Sequence, residues 1–77
     1  MSRMGAPMKL PKAWEDLAIA LSQTLDMPPM KALCATCYTS ANTIRRWASG
    51  GKMSGIDKRF VASLARLNNV QVPEECR

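Results

Sequence analysis

Apolar residues recur at helical spacing in several stretches of this 77-residue chain, and no stretch alternates as a strand does. The first stretch predicts a helix over about residues 12–25 from apolar positions three and four apart: Trp14, Leu17, Ala18, Leu21 and Leu25. Asp26 to Pro29 breaks this pattern. Because proline is well tolerated at the first position of a helix, we expect a second helix from about Pro29 to Cys37.

The third predicted helix runs from about Ala41 to about Ser49. Ser40 is placed to accept a hydrogen bond from the free backbone N–H groups of the first turn, and Gly50 is placed to end the helix in a left-handed conformation. Ile44 and Trp47 are three residues apart and share one face, which we expect to pack. The rest of the helix surface should be exposed and available to contact a binding partner.

A fourth helix follows the glycine-rich loop at 50–55. We expect Ser54 to cap it and Asn68-Asn69 to end it, with an apolar face made of Ile56, Phe60, Leu64 and Leu67, and Val61 close by. The prediction is therefore all-α, a compact bundle of four to five short helices over residues 11–72. Residues 1–10 are expected to form a flexible basic arm and residues 73–77 a flexible tail, with Val70 and Val72 docking back on the core.

Charge adds a candidate partner. The chain carries a net charge of +5, and the positive charge concentrates in residues 1–12 and 39–60. This distribution suits a polyanion such as nucleic acid, although a solvated basic surface would give the same totals. A domain of this size also has little room for a deep enzyme pocket.

The residue types argue against an enzyme, a metal site or a bound cofactor. The chain has no histidine, and its acids are not clustered for a metal. Cys34 and Cys37 have the spacing of zinc ligands, but Cys76 is the only further thiol. We expect buried, reduced, structural thiols. The sequence has no apolar run of membrane-spanning length and no signal-peptide pattern, so we expect a cytoplasmic protein.

The second and third helices carry a family resemblance. Helix 2, a short link and the motif Ser-x-x-Thr-Ile-Arg-Arg-Trp closely resemble the helix-turn-helix of the lambda-repressor-like and Cro-like DNA-binding family, and the likeness covers about residues 12–70. The matching positions are Leu33, Cys34, Ser40, Ile44, Trp47 and Gly50, continued by Phe60, Leu64, Ala65, Leu67 and Val70. Tyr38 stands where the family usually has glycine, and Thr39 where it has an aliphatic residue. If the turn is kept, Tyr38 must adopt a positive φ.

The resemblance implies that helix 3 enters the major groove of DNA. The side chains that would then read bases are Asn42, which would bind adenine, Arg45 or Arg46, which would bind guanine, and Ala41. Phosphate contacts fall to short polar or cationic side chains: Lys31, Ser40, Thr43, Lys52, Lys58 and Arg59. Arg3, Lys9 and Lys12 would lie along a groove if the arm orders on DNA.

The implied function is sequence-specific binding of double-stranded DNA by a transcriptional regulator, a repressor of phage or plasmid type. One small module discriminates little, so we expect a homodimer or several copies on repeated sites. One alternative is a plasmid stability, partition or excision protein that binds DNA repeats. A second, from another class, is a small helical protein-interaction module whose basic face meets an acidic partner.

Overall fold

The computed structural model describes residues 10–77, which form four α-helices and one short 3-10 helix, without a strand. The helices are α1 (Lys12–Leu25), α2 (Pro29–Cys37), α3 (Ala41–Ala48) and α4 (Gly55–Leu67), followed by a 3-10 helix at Glu74–Cys76. The all-α prediction is confirmed, and the predicted bounds of the first two helices match. None of these helices is long and apolar enough to cross a lipid bilayer.

The predicted arm falls almost entirely outside the described residues. Arg3 and Lys9 belong to that undescribed part. Leu10 is half-buried and packs against the core, so this residue of the predicted arm belongs to the packed domain. Lys12 starts α1 and forms an ion pair with Asp16, with 3.5 Å between Nζ and Oδ2.

The core joins all four helices around Trp14, which is fully buried. Its largest fully buried side chains come from each helix in turn and from the C-terminal segment: Trp14, Leu17, Leu33, Ile44, Val61 and Pro73. The rings of Trp14 and Trp47 lie 6.4 Å apart at a tilt of 36°, which links α1 to α3. Aromatic pairs at this distance add to the stability that burial alone supplies. The core thus holds α3 in place.

α4 presents a different face to the core from the one the sequence predicts. Ile56 and Leu67 are each 80% exposed and Phe60 is 41% exposed, whereas Val61, Ala62 and Ala65 are buried. Leu64 is half-buried and packs on the core, so only Leu64 and Val61 of the predicted set contribute. Small alanine side chains let the α4 backbone approach closely, and the larger apolar residues are left on the opposite side.

The C-terminal residues are packed on the core and do not form the tail that we expected. Pro73 is fully buried and Cys76 is 6% exposed. The indole Nε1 of Trp14 donates a hydrogen bond of 2.9 Å to Oε1 of Glu75, which satisfies the polar group of an otherwise buried ring. Val70 and Val72 pack against the core, as predicted. Residues 73–77 are therefore part of the packed domain.

Candidate nucleic-acid interface

The link between α2 and α3 is a tight turn of three residues, at 38–40. Tyr38 ends α2 in the left-handed region, at φ 54° and ψ 46°, so the positive φ expected for a kept turn is confirmed. The backbone N–H of Thr39 donates to the carbonyl of Cys34 at 3.1 Å, which closes the end of α2. The tyrosine ring is 91% exposed, so side-chain packing does not explain why a tyrosine occupies this position of positive φ.

α3 is anchored at its start by Ser40. The Ser40 hydroxyl accepts a hydrogen bond from the backbone N–H of Thr43 at 3.3 Å, and the two hydroxyl oxygens lie 3.1 Å apart. Ile44 is fully buried and Trp47 is 8% exposed, so the inner face of α3 belongs to the core. The predicted cap and the predicted packing face are both confirmed.

Two glycines fix the end of α3, which stops one residue before the predicted Ser49. Gly50 has φ 94°, a conformation that residues with a Cβ rarely adopt. Gly51 donates its backbone N–H to the Arg46 carbonyl at 2.8 Å, and a Cβ on Gly51 would lie only 2.6 Å from that oxygen. No side chain fits there without a shift, so the loop lies directly on the backbone of Arg46.

The outer face of α3 is polar and cationic. At about 100° per residue, Asn42, Arg45 and Arg46 lie within one side of the helix, opposite Ile44 and Trp47. All three are exposed, whereas Ala41 and Thr43 are half-buried at the edges. The Arg45 guanidinium donates from Nη1 to the Asn42 amide oxygen at 3.5 Å. Residues 39–56 contain no acid, so nothing in that segment neutralises the two arginines.

The predicted phosphate contacts fall on separate surfaces. Lys31 and Ser40 line one open depression beside the turn, with a volume of about 560 Å³, together with Met27, Cys34, Ala35, Tyr38 and Thr39. Lys52 is exposed in the loop after α3. Lys58 and Arg59 line a different depression, on α4. The structure therefore groups Lys31 with the start of α3 and groups Lys58 with Arg59.

Arg66 and Arg77 line the depression on α4 together with Lys58 and Arg59. Neither arginine is among the phosphate contacts predicted from the sequence. Arg66 follows Arg59 by seven residues, two turns along one helix face, so helical spacing was a usable signal. Arg77 carried no such signal, because its position depends on how the C-terminal segment docks.

The three cysteines are free thiols that pack against the core. Burial raises the pKa of Cys37 to about 11 and that of Cys76 to about 11. Burial also raises the pKa of Cys34, against the opposing effect of the nearby Arg45 guanidinium. The Cys76 thiol lies 3.9 Å from the sulfur of Met53. Among residues 10–77 no three potential ligands converge on a metal position. Cys34 and Cys37, which we expected to be buried, are half-buried against the core, whereas Cys76 of the predicted tail is buried.

No protein-family model, curated protein or solved structure matches this chain. Its function is therefore inferred from the surfaces of α2, α3 and α4.

Proposed function

We propose that the protein binds double-stranded DNA sequence-specifically through α3, in the manner of a helix-turn-helix regulator. The observation that carries the proposal is the division of α3 into two faces. Ile44 and Trp47 fix the helix to the core, and Asn42, Arg45 and Arg46 are exposed on the other side with no acid nearby in the chain. A helix of eight residues, about 12 Å long, fits the major groove of B-DNA.

The exposed side chains have the chemistry of base readout. An asparagine amide pairs with N6 and N7 of adenine, and an arginine guanidinium pairs with O6 and N7 of guanine. The contact between Arg45 and Asn42 holds two of these groups near one another before DNA arrives. Ala41, at the edge of this face, offers a methyl group to thymine.

Phosphate contacts would orient α3 in the groove. Lys31 and Ser40 lie together at the start of α3, and Lys52 follows its end, so cationic or hydrogen-bonding groups bracket the helix. Thr43 is half-buried beside Ser40, and its hydroxyl already contacts the Ser40 hydroxyl. Such contacts set the register on DNA and carry no sequence information themselves.

A transcriptional repressor of phage or plasmid type is the role this binding supports. Occupying an operator blocks transcription without any catalytic step, and the chain has no histidine for general acid-base chemistry. The cytoplasm is where such a protein would meet DNA.

We further propose that the protein binds as a homodimer through α4. Ile56, Phe60 and Leu67 form one exposed apolar row, which we call the α4 stripe, directly opposite the face that packs on the core. A two-fold interface needs one surface that complements itself, and an apolar row on a helix meets that condition. Arg59 and Arg66 lie beside the stripe, so repulsion between copies keeps the free dimer weak.

The test begins with selection of bound sites from random DNA. Asn42→Ala, Arg45→Ala and Arg46→Ala should each weaken the selected site by about 1 to 3 kcal/mol while leaving unrelated duplexes little changed. Lys52→Ala is the matched control, because loss of a phosphate contact weakens all duplexes about equally. Equal losses on every sequence from the α3 variants would contradict specific reading.

The arrangement of selected sites tests the number of copies. Inverted half-sites about one helical turn apart indicate a symmetric dimer, and Leu67→Ser should then reduce cooperativity between half-sites but not affinity for one half-site. Tandem copies in one orientation would favour the stability, partition or excision alternative. No enrichment at all would favour the protein-interaction module.

A further inference from the structure

A second cationic surface lies between α4 and the C-terminal 3-10 helix. It is an open groove of about 510 Å³, which we call the α4 groove, lined by Lys58, Arg59, Arg66 and Arg77. The remaining lining residues are small or neutral: Gly55, Ala62, Ser63 and Cys76. All four cations are exposed. Within residues 10–77 the ion pair is that of Lys12 with Asp16, so none of the four cations forms an ion pair with a described carboxylate.

The two walls of the α4 groove are held by the fold. Lys58, Arg59 and Arg66 share one side of α4, because positions seven and eight apart return to the same face. The opposite wall follows the 3-10 helix, which is fixed by buried Pro73 and Cys76. Arg77 closes this wall, and its backbone N–H donates to the Glu74 carbonyl at 3.2 Å.

Within the described part of the chain, no acidic side chain lines the α4 groove. The Glu75 carboxylate accepts the hydrogen bond from the Trp14 indole and so points toward α1. Burial and the neighbouring Glu75 carboxylate raise the pKa of the Cys76 thiol to about 11, and the Lys58 ammonium acts in the opposite direction. At neutral pH the lining side chains therefore carry four positive charges and no thiolate.

We propose that the α4 groove binds the sugar–phosphate backbone of nucleic acid, as a contact surface additional to α3. The inference rests on the proposed function for its ligand, and it adds Arg66 and Arg77 to the predicted phosphate contacts Lys58 and Arg59. Three guanidinium groups and one ammonium in a shallow groove match a row of phosphates, since a guanidinium binds a phosphate through two parallel hydrogen bonds. Ala62 and Cys76 are the only apolar side chains of the lining, so it lacks the aromatic or aliphatic centre that protein partners bury.

The groove should act on all sequences alike. Each phosphate neutralised by a cation releases counterions, so the logarithm of the affinity falls with the logarithm of the salt concentration, by about 0.9 for each contact. Loss of one guanidinium from the groove should therefore reduce the magnitude of this salt slope by about 0.9, whatever the DNA sequence.

The experiment measures the salt slope with a random-sequence duplex of about 20 base pairs. Arg66→Ala, Arg77→Ala and the double variant are compared with Arg66→Lys, which keeps the charge. Gln23→Glu is the matched control, because it changes the net charge by the same amount on an exposed site of α1. The expected result is a smaller slope for the alanine variants, additive in the double variant, with little change for Arg66→Lys and Gln23→Glu.

An unchanged salt slope in the double variant would overturn the proposal and would favour an acidic protein as the partner of the groove. A change of equal size in Gln23→Glu would also overturn it, because the effect would then follow net charge alone. Failure of the proposed function looks different: the α3 variants would weaken every duplex alike, while the groove variants would still reduce the slope. Because Arg66 is exposed on a helix and alanine is the best helix former, Arg66→Ala should keep the fold.

Discussion

Tyr38 combines an unfavourable backbone with an unused side chain. Its φ of 54° belongs to the left-handed region, and its ring is 91% exposed. Asp26 and Asn69 also lie in this region, but their short polar side chains tolerate it. A bulky residue at such a position is uncommon, so the turn between α2 and α3 is held by its surroundings rather than by the preference of Tyr38.

Tyr38→Gly should therefore stabilise the protein. Glycine adopts a positive φ without a clash between Cβ and the backbone, and we expect the free energy of unfolding to rise by about 1 kcal/mol. Tyr38→Asn should give a smaller gain of the same sign. Urea denaturation measures both. A loss of stability in Tyr38→Gly would mean that the exposed ring makes a stabilising contact after all.

At the scale of single residues, the sequence predicts α3 well because its signals are local. Ser40, Gly50 and the Ile44-Trp47 pair act within one or two turns of the same helix, and each takes its expected role. The outward face of α3 follows from the same spacing. Gly51 shows the limit of this reasoning, because its closeness to the Arg46 carbonyl depends on the path of the loop.

At the scale of elements, α4 shows how a strong apolar pattern can mislead. Ile56, Phe60 and Leu67 dominate any estimate of hydrophobicity along the helix, yet they are the exposed residues. Ala62 and Ala65 contribute little to such a pattern, but their small size permits close packing. The sequence therefore predicts the helix and not its orientation, because the orientation depends on the shape of the core that α4 meets.

The two capped helices, α3 and α4, offer a matched pair of changes. Ser40→Ala and Ser54→Ala each remove a hydroxyl that accepts a first-turn N–H, at 3.3 and 3.1 Å, and each should lower the free energy of unfolding by about 1 kcal/mol. Ser54 lies outside the proposed reading helix. Ser40→Ala should thus also weaken DNA binding, whereas Ser54→Ala, which removes a cap but no proposed DNA contact, should weaken it less, as measured by titration well below the unfolding temperature.

Equal losses of DNA affinity in the two variants would show that Ser40 acts only through stability. Ser40→Asn is a useful companion, because asparagine is also a good N-cap. Ser40→Asn should restore the free energy of unfolding. It should restore DNA affinity as well if binding requires only the cap, but not if binding requires a phosphate contact from the Ser40 hydroxyl.

At the scale of the whole molecule, the C-terminal segment is what the sequence could not predict. Pro73 and Cys76 are buried, the Cys76 thiol contacts Met53 from the loop before α4, and Glu75 accepts its hydrogen bond from Trp14. No local pattern of apolar and polar residues predicts contacts between such distant positions. One wall of the α4 groove also depends on these contacts, because Arg77 lines the groove only when the C-terminal segment packs on the core.

The buried thiols make overall stability depend on alkaline pH. Burial raises the pKa of Cys37 and of Cys76 from 9.0 to about 11 in the folded protein. The folded state then holds protons that the unfolded state has released, so stability is full below pH 9 and falls as the pH rises toward 11. Denaturation at stepped pH values should show this fall.

The control is a Cys37→Ala, Cys76→Ala double variant. Every other ionisable group remains in both proteins, so the difference between the two pH curves reports the two thiols. We expect the variant to be less stable at neutral pH because it loses packing, and to lose less stability between pH 9 and 11. Parallel curves would contradict the burial-raised pKa values.

The hydrogen bond between Trp14 and Glu75 spans 61 positions of the chain. During synthesis, Trp14 leaves the ribosome long before its partner exists, and the core around it stays incomplete until the last turn has emerged. Contacts this distant in sequence also slow folding, because a long loop must close before they form. The domain should consequently acquire its final structure only after the ribosome has added almost every one of these residues, with α1 and α2 paired first and the C-terminal segment closing last.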